Sequence, residues 1–150
     1  MSRAIYLVVF SNGSKPAHWA IWIPTGNAGA KGKLMHATGN PATGFFLEFR
    51  RNYDFEDETR RYKVIELAQV SDKYIADTVG NGELINETTA RDRFESAATT
   101  VAPPGKSPNP FDPKALNCQD WIKAFVEKLI AMGYIDDGST TVVQDAPRYL

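Results

Sequence analysis

Apolar positions in the first half of the chain fall into short runs separated by turn-forming residues. Ala4 to Phe10 is a continuous apolar stretch rich in β-forming side chains, the pattern of a strand buried on both faces. Asn12-Gly13-Ser14 marks a turn, and His18-Trp19-Ala20-Ile21-Trp22-Ile23 predicts a second strand that Pro24 ends. The glycines at 26, 29 and 32 loosen the next connection, and Lys33 to Thr38 reads as a third strand closed by Gly39-Asn40-Pro41. Gly44 to Arg50 and Tyr62 to Leu67 predict two more, with the mixed-charge stretch Arg50 to Arg61 as a solvated hairpin loop between them.

The second half changes period. Thr88 to Thr100 suits a short helix capped by Asn86 or Thr88, whereas Ser71 to Gly82 fits helix or strand equally. Residues 101 to 116 hold five of the nine prolines and predict a stiff loop. From Cys118 to Met132, Trp121, Ile122, Phe125, Val126, Leu129 and Ile130 recur at the spacing of an amphipathic helix, with Asn117 as N-cap, Asp120 in the first turn and Gly133 at the stop. The tail predicts a last strand at Thr140 to Val143. Together these elements predict one α+β domain over residues 1–150, an antiparallel sheet of about five strands with packed helices.

Composition narrows the chemistry. A chain of 150 residues carrying 17 basic and 18 acidic side chains, net charge −1, lacks the basic excess of a bulk nucleic-acid binder. No apolar run reaches the 18 or more residues of a membrane span, and the N-terminal run has no signal-peptide flanks, so no membrane anchor and a cytoplasmic location are expected. One cysteine and two histidines leave few groups for nucleophilic and acid–base work near neutral pH.

Those three can be weighed singly. Cys118 follows the cap of the best helix, where unpaired N–H groups and the helix dipole favour a thiolate, lower the thiol pKa and can receive an oxyanion. Against this stands the usual fate of a lone cysteine, a small buried hydrophobe. His18 shares a strand face with Ala20 and Trp22, and His36 shares one with Leu34 and Thr38. If those strands are antiparallel neighbours the two rings meet at one end of the sheet, one as base and the other holding it. A metal site on His18, His36 and Cys118 has no tight ligand spacing to support it.

Ala17-His18-Trp19-Ala20-Ile21-Trp22-Ile23, Leu34-Met35-His36 and Asn117-Cys118-Gln119-Asp120-Trp121 together resemble the circularly permuted papain-like proteins. They look like the NlpC-type and lecithin:retinol acyltransferase-like branch in particular. The late Asn-Cys motif and early histidine are also similar to those of the desumoylating isopeptidases. A group of uncharacterised fungal proteins with His-Trp-Ala and Asn-Cys-Gln-x-Trp signatures looks most similar. The resemblance implies a permuted papain-like fold with Cys118 as nucleophile, His18 as general base and His36 as the polar residue that holds His18. Gln119-Asp120-Trp121 stands where the acyltransferase branch has Glu-His-Phe, and residues 48 to 116 match no motif of the family.

The expected activity is cysteine-dependent acyl chemistry on a small-molecule or peptide acyl substrate: amide or ester hydrolysis, or acyl or aminoacyl transfer, with no cofactor. Gln119 and Asn117 are candidate oxyanion donors, although Asn117 also serves as the cap. Trp19 is a candidate for the pocket wall, with core packing the commoner use of a tryptophan. Glu48 is an alternative partner for His18, with His36 preferred. The Arg50-Arg51 and Arg60-Arg61 pairs read as surface charges. The competing expectation is a non-catalytic ligand- or peptide-binding domain on the same fold, with Cys118 buried.

Overall fold

In the computed structural model, which describes residues 1–27 and 29–150, six strands form one open antiparallel sheet and three helices pack on one of its faces. The strands are β1 (Ser2–Phe10), β2 (His18–Pro24), β3 (Lys31–Asn40), β4 (Gly44–Asp54), β5 (Tyr62–Ser71) and β6 (Ile85–Glu87), in the spatial order β5-β1-β2-β3-β4-β6. The helices are α1 (Arg93–Thr99), α2 (Cys118–Ala131) and α3 (Ser139–Asp145). Of the glycine-rich connection expected over 26–32, residue 28 lies outside the described residues. Gly32 is already in β3, and a Cβ there would sit 2.2 Å from the Ile23 carbonyl oxygen, so only glycine lets β2 and β3 close up at that end.

The five expected strands are present and a sixth, three residues long, joins β4 at its outer edge. Nothing in Ile85-Asn86-Glu87 alternates over a long enough stretch to announce a strand. The helix expected over 88–100 starts later and is capped by Asp92, whose side chain accepts the Glu95 N–H, and not by Asn86 or Thr88. Residues 71–82 are mostly irregular after one 3-10 turn at Asp72–Tyr74. The expected tail strand at 140–143 is instead part of α3, with Ser139 and Val143 buried one turn apart; β-branched composition misleads here because burial follows a helical period.

The largest difference concerns residues 50–61. They are not a hairpin loop, because β4 runs on to Asp54 and β5 pairs with β1 on the other side of the sheet. The chain therefore crosses the face opposite the helices. Phe55 settles there on Trp22 (ring centroids 4.7 Å) and Tyr62 (4.7 Å), covering Val8, Phe10, Ala20, Trp22, Leu34 and Tyr53. Burying that apolar patch outweighs the exposure suggested by the surrounding charges.

The main core lies on the other face. Ile5, Leu7, Val9, Trp19, Ile21, Ile23, Met35 and Phe49 point from the sheet toward Phe94, Trp121, Ile122, Phe125 and Leu129 of α1 and α2. Arg51 faces this side too and is buried, so it is not a surface charge. Its guanidinium grips both Glu95 carboxylate oxygens at 2.8 Å and also pairs with Glu87, while Lys33 reaches Glu95 at 2.5 Å and Asp92 at 2.6 Å. This network ties α1 to β3, β4 and β6. Burial alone would raise the Glu95 carboxyl, but Arg51 and Lys33 outweigh it and hold the group below its usual value.

Removing one member of such a network strands the others. Glu95→Ala is expected to cost about 3–5 kcal/mol, because Arg51 and Lys33 lose their shared carboxylate inside the fold. The carboxylate's contribution is present above the ordinary glutamate pKa and is lost as pH falls through its depressed folded value, so the deficit relative to wild type is expected to shrink in acid. Urea unfolding of the two proteins at pH 7 and pH 4 checks both statements.

Candidate functional site

α2 begins where the sequence predicts. Asn117 is extended, its Oδ1 accepts the Gln119 N–H at 2.9 Å, and the Asp120 carboxylate accepts the Asn117 N–H at 2.8 Å, a capping box that fixes the first turn. Trp121, Ile122, Phe125 and Leu129 then anchor the helix over β2 and β3. This docking brings Cys118 against the start of β2, where its Sγ lies 3.8 Å from the carbonyl oxygen of Ala17, the residue before His18. Cys118 is buried, with 8% of the residue exposed.

His18 and His36 project on the opposite face of the sheet from α2, as the alternation with Ala20, Trp22 and Leu34 requires. β2 and β3 are antiparallel neighbours, and the His18 Nε2 lies 2.7 Å from the His36 Nδ1. His36 stands directly opposite Glu48 in the β3–β4 ladder, and its Nε2 lies 2.9 Å from the Glu48 Oε1. Glu48 is therefore not an alternative to His36 but the next member of the same line. That register is readable from the sequence. Counting back four residues along each strand from the closing pair Asn40–Gly44 of the Gly39-Asn40-Pro41 turn lands on His36 and Glu48.

The line has a defined hydrogen-bond polarity. A hydrogen bond from the His36 ring holds the Glu48 carboxyl below its usual value, so it is a carboxylate and can only accept. His36 must then carry its proton on Nε2. In the neutral form of the pair, His36 Nδ1 accepts from His18 Nε2–H, and His18 Nδ1 is left as a bare lone pair. Burial, with help from the charge on His36 and from Arg60 and Arg50, pushes His18 down to about 3.

Cys118 and His18 border one cleft of about 660 Å³. They reach it from the two faces of the sheet, around the start of β2. Thr38, Gly39 and Asn40 of β3 line another side, the proline loop supplies Pro110, Phe111 and Pro113, and Tyr149 closes the tail side. Phe111 is 94% exposed at the rim. Among the described residues, the hydrogen-bond partner of the thiol is the Ala17 carbonyl and not an imidazole.

The thiol itself departs from expectation. Burial pushes it up, against the opposing pull of the Trp19, Gln119 and Cys118 N–H groups, so a capped helix start does not by itself yield a thiolate here. Two of the suggested auxiliary residues also lie elsewhere. Trp19 is buried in the main core with its Nε1–H on the Pro147 carbonyl, and does not line the cleft. Gln119 is completely buried and turns its amide hydrogens onto the carbonyls of Ala17 (2.9 Å) and Arg148 (3.0 Å), so it has none left for an oxyanion. Asn117 does border the cleft, although its Oδ1 serves the cap. Among the described residues no group of three or more His, Cys, Asp or Glu side chains is arranged to hold a metal ion, and no helix is long and apolar enough to cross a membrane.

The tail was not marked by any motif. Residues 146–150 nevertheless run along the start of β2, with the Arg148 carbonyl accepting the Ala17 N–H at 2.7 Å and the Leu150 carbonyl accepting from the Ser11 hydroxyl. Its alternation carries no periodic signal, since main-chain carbonyls make most of these contacts.

The chain belongs to DUF6540, a family of unknown function, whose profile it matches over residues 5–136. No curated protein and no solved structure matches it.

The line of imidazoles sets a pH dependence. The unfolded chain takes up a proton at His18 near 6.5 and the folded chain only near 3, so stability is full above 6.5 and falls by about 1.4 kcal/mol per pH unit from this group as pH drops toward 3. The expected result is that His18→Gln flattens the stability profile between pH 6.5 and 4.5, by urea unfolding. Imidazole ¹⁵N spectra at pH 8 are expected to place the His18 proton on Nε2.

Proposed function

We propose that this protein carries out cysteine-dependent acyl chemistry on a permuted papain-like fold, with Cys118 as nucleophile and His18 as general base. The observation that supports it most is the line His18–His36–Glu48 opening onto the cleft that Cys118 borders. The order of these residues along the chain agrees with the resemblance to the permuted papain-like proteins.

A base that resists charge needs a partner to take that charge. In the proposed step His18 Nδ1 removes the proton from Cys118 while the His18 Nε2 proton passes to His36 Nδ1. His18 stays neutral and changes tautomer, and the positive charge comes to rest on His36, against the Glu48 carboxylate 2.9 Å away. The thiolate then attacks the acyl carbonyl, the carbonyl carbon becomes tetrahedral, and its oxyanion is received by N–H groups at the start of α2. Return of the proton through the same line to the leaving amine or alcohol yields an acyl-enzyme. Water, an amine or a hydroxyl compound then takes the acyl group from sulfur and restores the thiol. Cys118 and His18 are catalytic residues in this scheme; His36 and Glu48 position the base and hold the charge.

Burial explains why the resting pair is uncharged. The same desolvation that raises the thiol depresses His18, and each charge separately would stand in a poor solvent. Thiolate and imidazolium formed together carry no net charge, so the penalty is smaller for the pair than for its parts.

The burial of Cys118 also favours a second reading, a ligand- or peptide-binding domain that never forms the thiolate. Intact-mass analysis after mixing with p-nitrophenyl acetate and with aminoacyl-coumarin amides separates the two. An acyl adduct on Cys118 is expected, lost in Cys118→Ala and formed about 10²–10⁴ times more slowly in His18→Asn. Glu48→Leu, which leaves His36 without its carboxylate, is expected to slow it about tenfold or more. No adduct with any ester or amide donor would leave the binding domain as the function.

A further inference from the structure

Gln119 is more heavily committed than a side chain that merely fills the core. One amide group bridges two main-chain carbonyls from different parts of the chain, Ala17 at the start of β2 and Arg148 in the tail. The Ala17 carbonyl is also the acceptor of the Cys118 thiol, so Gln119 Nε2–H and Cys118 S–H share one oxygen. Two carbonyls facing one amide settle which atom is nitrogen, and the Gln119 Oε1 is left buried without a partner among the described residues.

We infer that Gln119 is a positioning residue for Cys118: by engaging the Ala17 carbonyl it weakens that oxygen's hold on the thiol proton and leaves the proton free to move to the base. A carbonyl that already accepts a strong N–H···O bond is a poorer acceptor for the weak S–H donor, and its dipole is partly compensated where it would otherwise repel a thiolate. The neighbouring residue of the nucleophile thus acts on the nucleophile through a third group, the main-chain carbonyl just before β2.

This role is separable from packing. Neither carbonyl would be orphaned by an apolar residue at 119, since the Ala17 oxygen keeps the thiol and the Arg148 oxygen keeps the Ala17 N–H. The charged group that acts on the sulfur is Asp120 on its own helix, and the other titratable groups that line the cleft are His18 on β2, Lys15 before it, Asp112 of the proline loop and Tyr149 of the tail. None of these is altered by the substitution. The inference rests on the thiol reading for its purpose, but its test needs no acyl substrate and so stands or fails apart from it.

The experiment is the pH profile of iodoacetamide labelling of Cys118 in the full chain and in Gln119→Leu, with thermal melting alongside. The expected result is a Tm within about 4 °C of wild type, an inflection about one pH unit higher, and labelling about tenfold slower at pH 7.5. A weaker infrared S–H stretching force constant, read as a shift of the band to lower frequency, is expected in the same variant. A side chain that only fills space predicts the opposite sign: loosening exposes the sulfur, so the inflection falls toward the free-thiol value near 8.5 and labelling accelerates. That outcome, or an unchanged profile, would overturn the inference. Gln119→Met, nearer in length, is read in parallel, and failure of both variants to fold would show a residue that holds the fold and would overturn it equally.

Discussion

The cleft depends on one packing event, the burial of a single face of α2 against β2 and β3. Trp121, Ile122, Phe125 and Leu129 are essentially inaccessible, and each such side chain contributes roughly 1.5–3 kcal/mol by leaving water. Because these residues fall at helical spacing, their burial fixes the rotation of the helix as well as its position. The capping box at Asn117 and Asp120 then fixes its starting point to the residue. Position, rotation and start together determine where Cys118 lies, without any interaction of the thiol itself. A weak S–H···O contact with Ala17 is a consequence of this docking and not its cause.

The two faces of the sheet handle charge differently. On the helix face, Lys33 and Arg51 are matched by Asp92, Glu95 and Glu87 within hydrogen-bond distance, and the charges compensate one another inside the fold. On the opposite face the His18–His36–Glu48 line holds one carboxylate at its outer end and two rings that can pass a proton inward. The first arrangement has one favourable protonation state and suits a structural joint. The second holds His18 uncharged beside a carboxylate-anchored ring, the state in which an imidazole nitrogen is able to accept a proton. Both are built on β3 and β4, whose register serves two purposes at once: residues 33 and 51 face the helices while 36 and 48 face away.

Local signals carried most of the fold. The apolar runs of β1 to β3 and the periodic face of α2 are visible in the sequence because one physical requirement, burial of one face, acts on adjacent residues. Where two requirements compete the sequence misleads. Residues 50–61 look solvated, yet they contain Phe55, which roofs the second apolar patch, and Arg51, which is neutralised by residues 36 and 44 positions away. β6 is too short to show a period, and α3 is a helix made of strand-forming residues because its place beside β5 rewards helical burial. At the site, the order His18, His36, Cys118 was legible and the meeting of the two rings followed from strand adjacency. The role of Gln119 was not, since both of its partners are main-chain carbonyls, and a carbonyl has no side-chain identity to read.

An unpartnered buried oxygen says something about why Gln119 is there. Leaving Oε1 without a donor costs about 1–3 kcal/mol relative to a satisfied group. A leucine or methionine would fill the same space between α2 and β2 without that penalty, and both carbonyls would keep a hydrogen bond. The two amide hydrogen bonds of Gln119, about 0.5–1.5 kcal/mol each, roughly offset that penalty, so on stability alone the polar residue gains nothing over an apolar one. The arrangement is understandable if what matters is the state of the Ala17 oxygen, which accepts from the Cys118 thiol and lies one residue before the strand that carries His18. A fold that places its sole thiol by packing and then holds the adjoining carbonyl with a buried amide is using its core to control that thiol's proton.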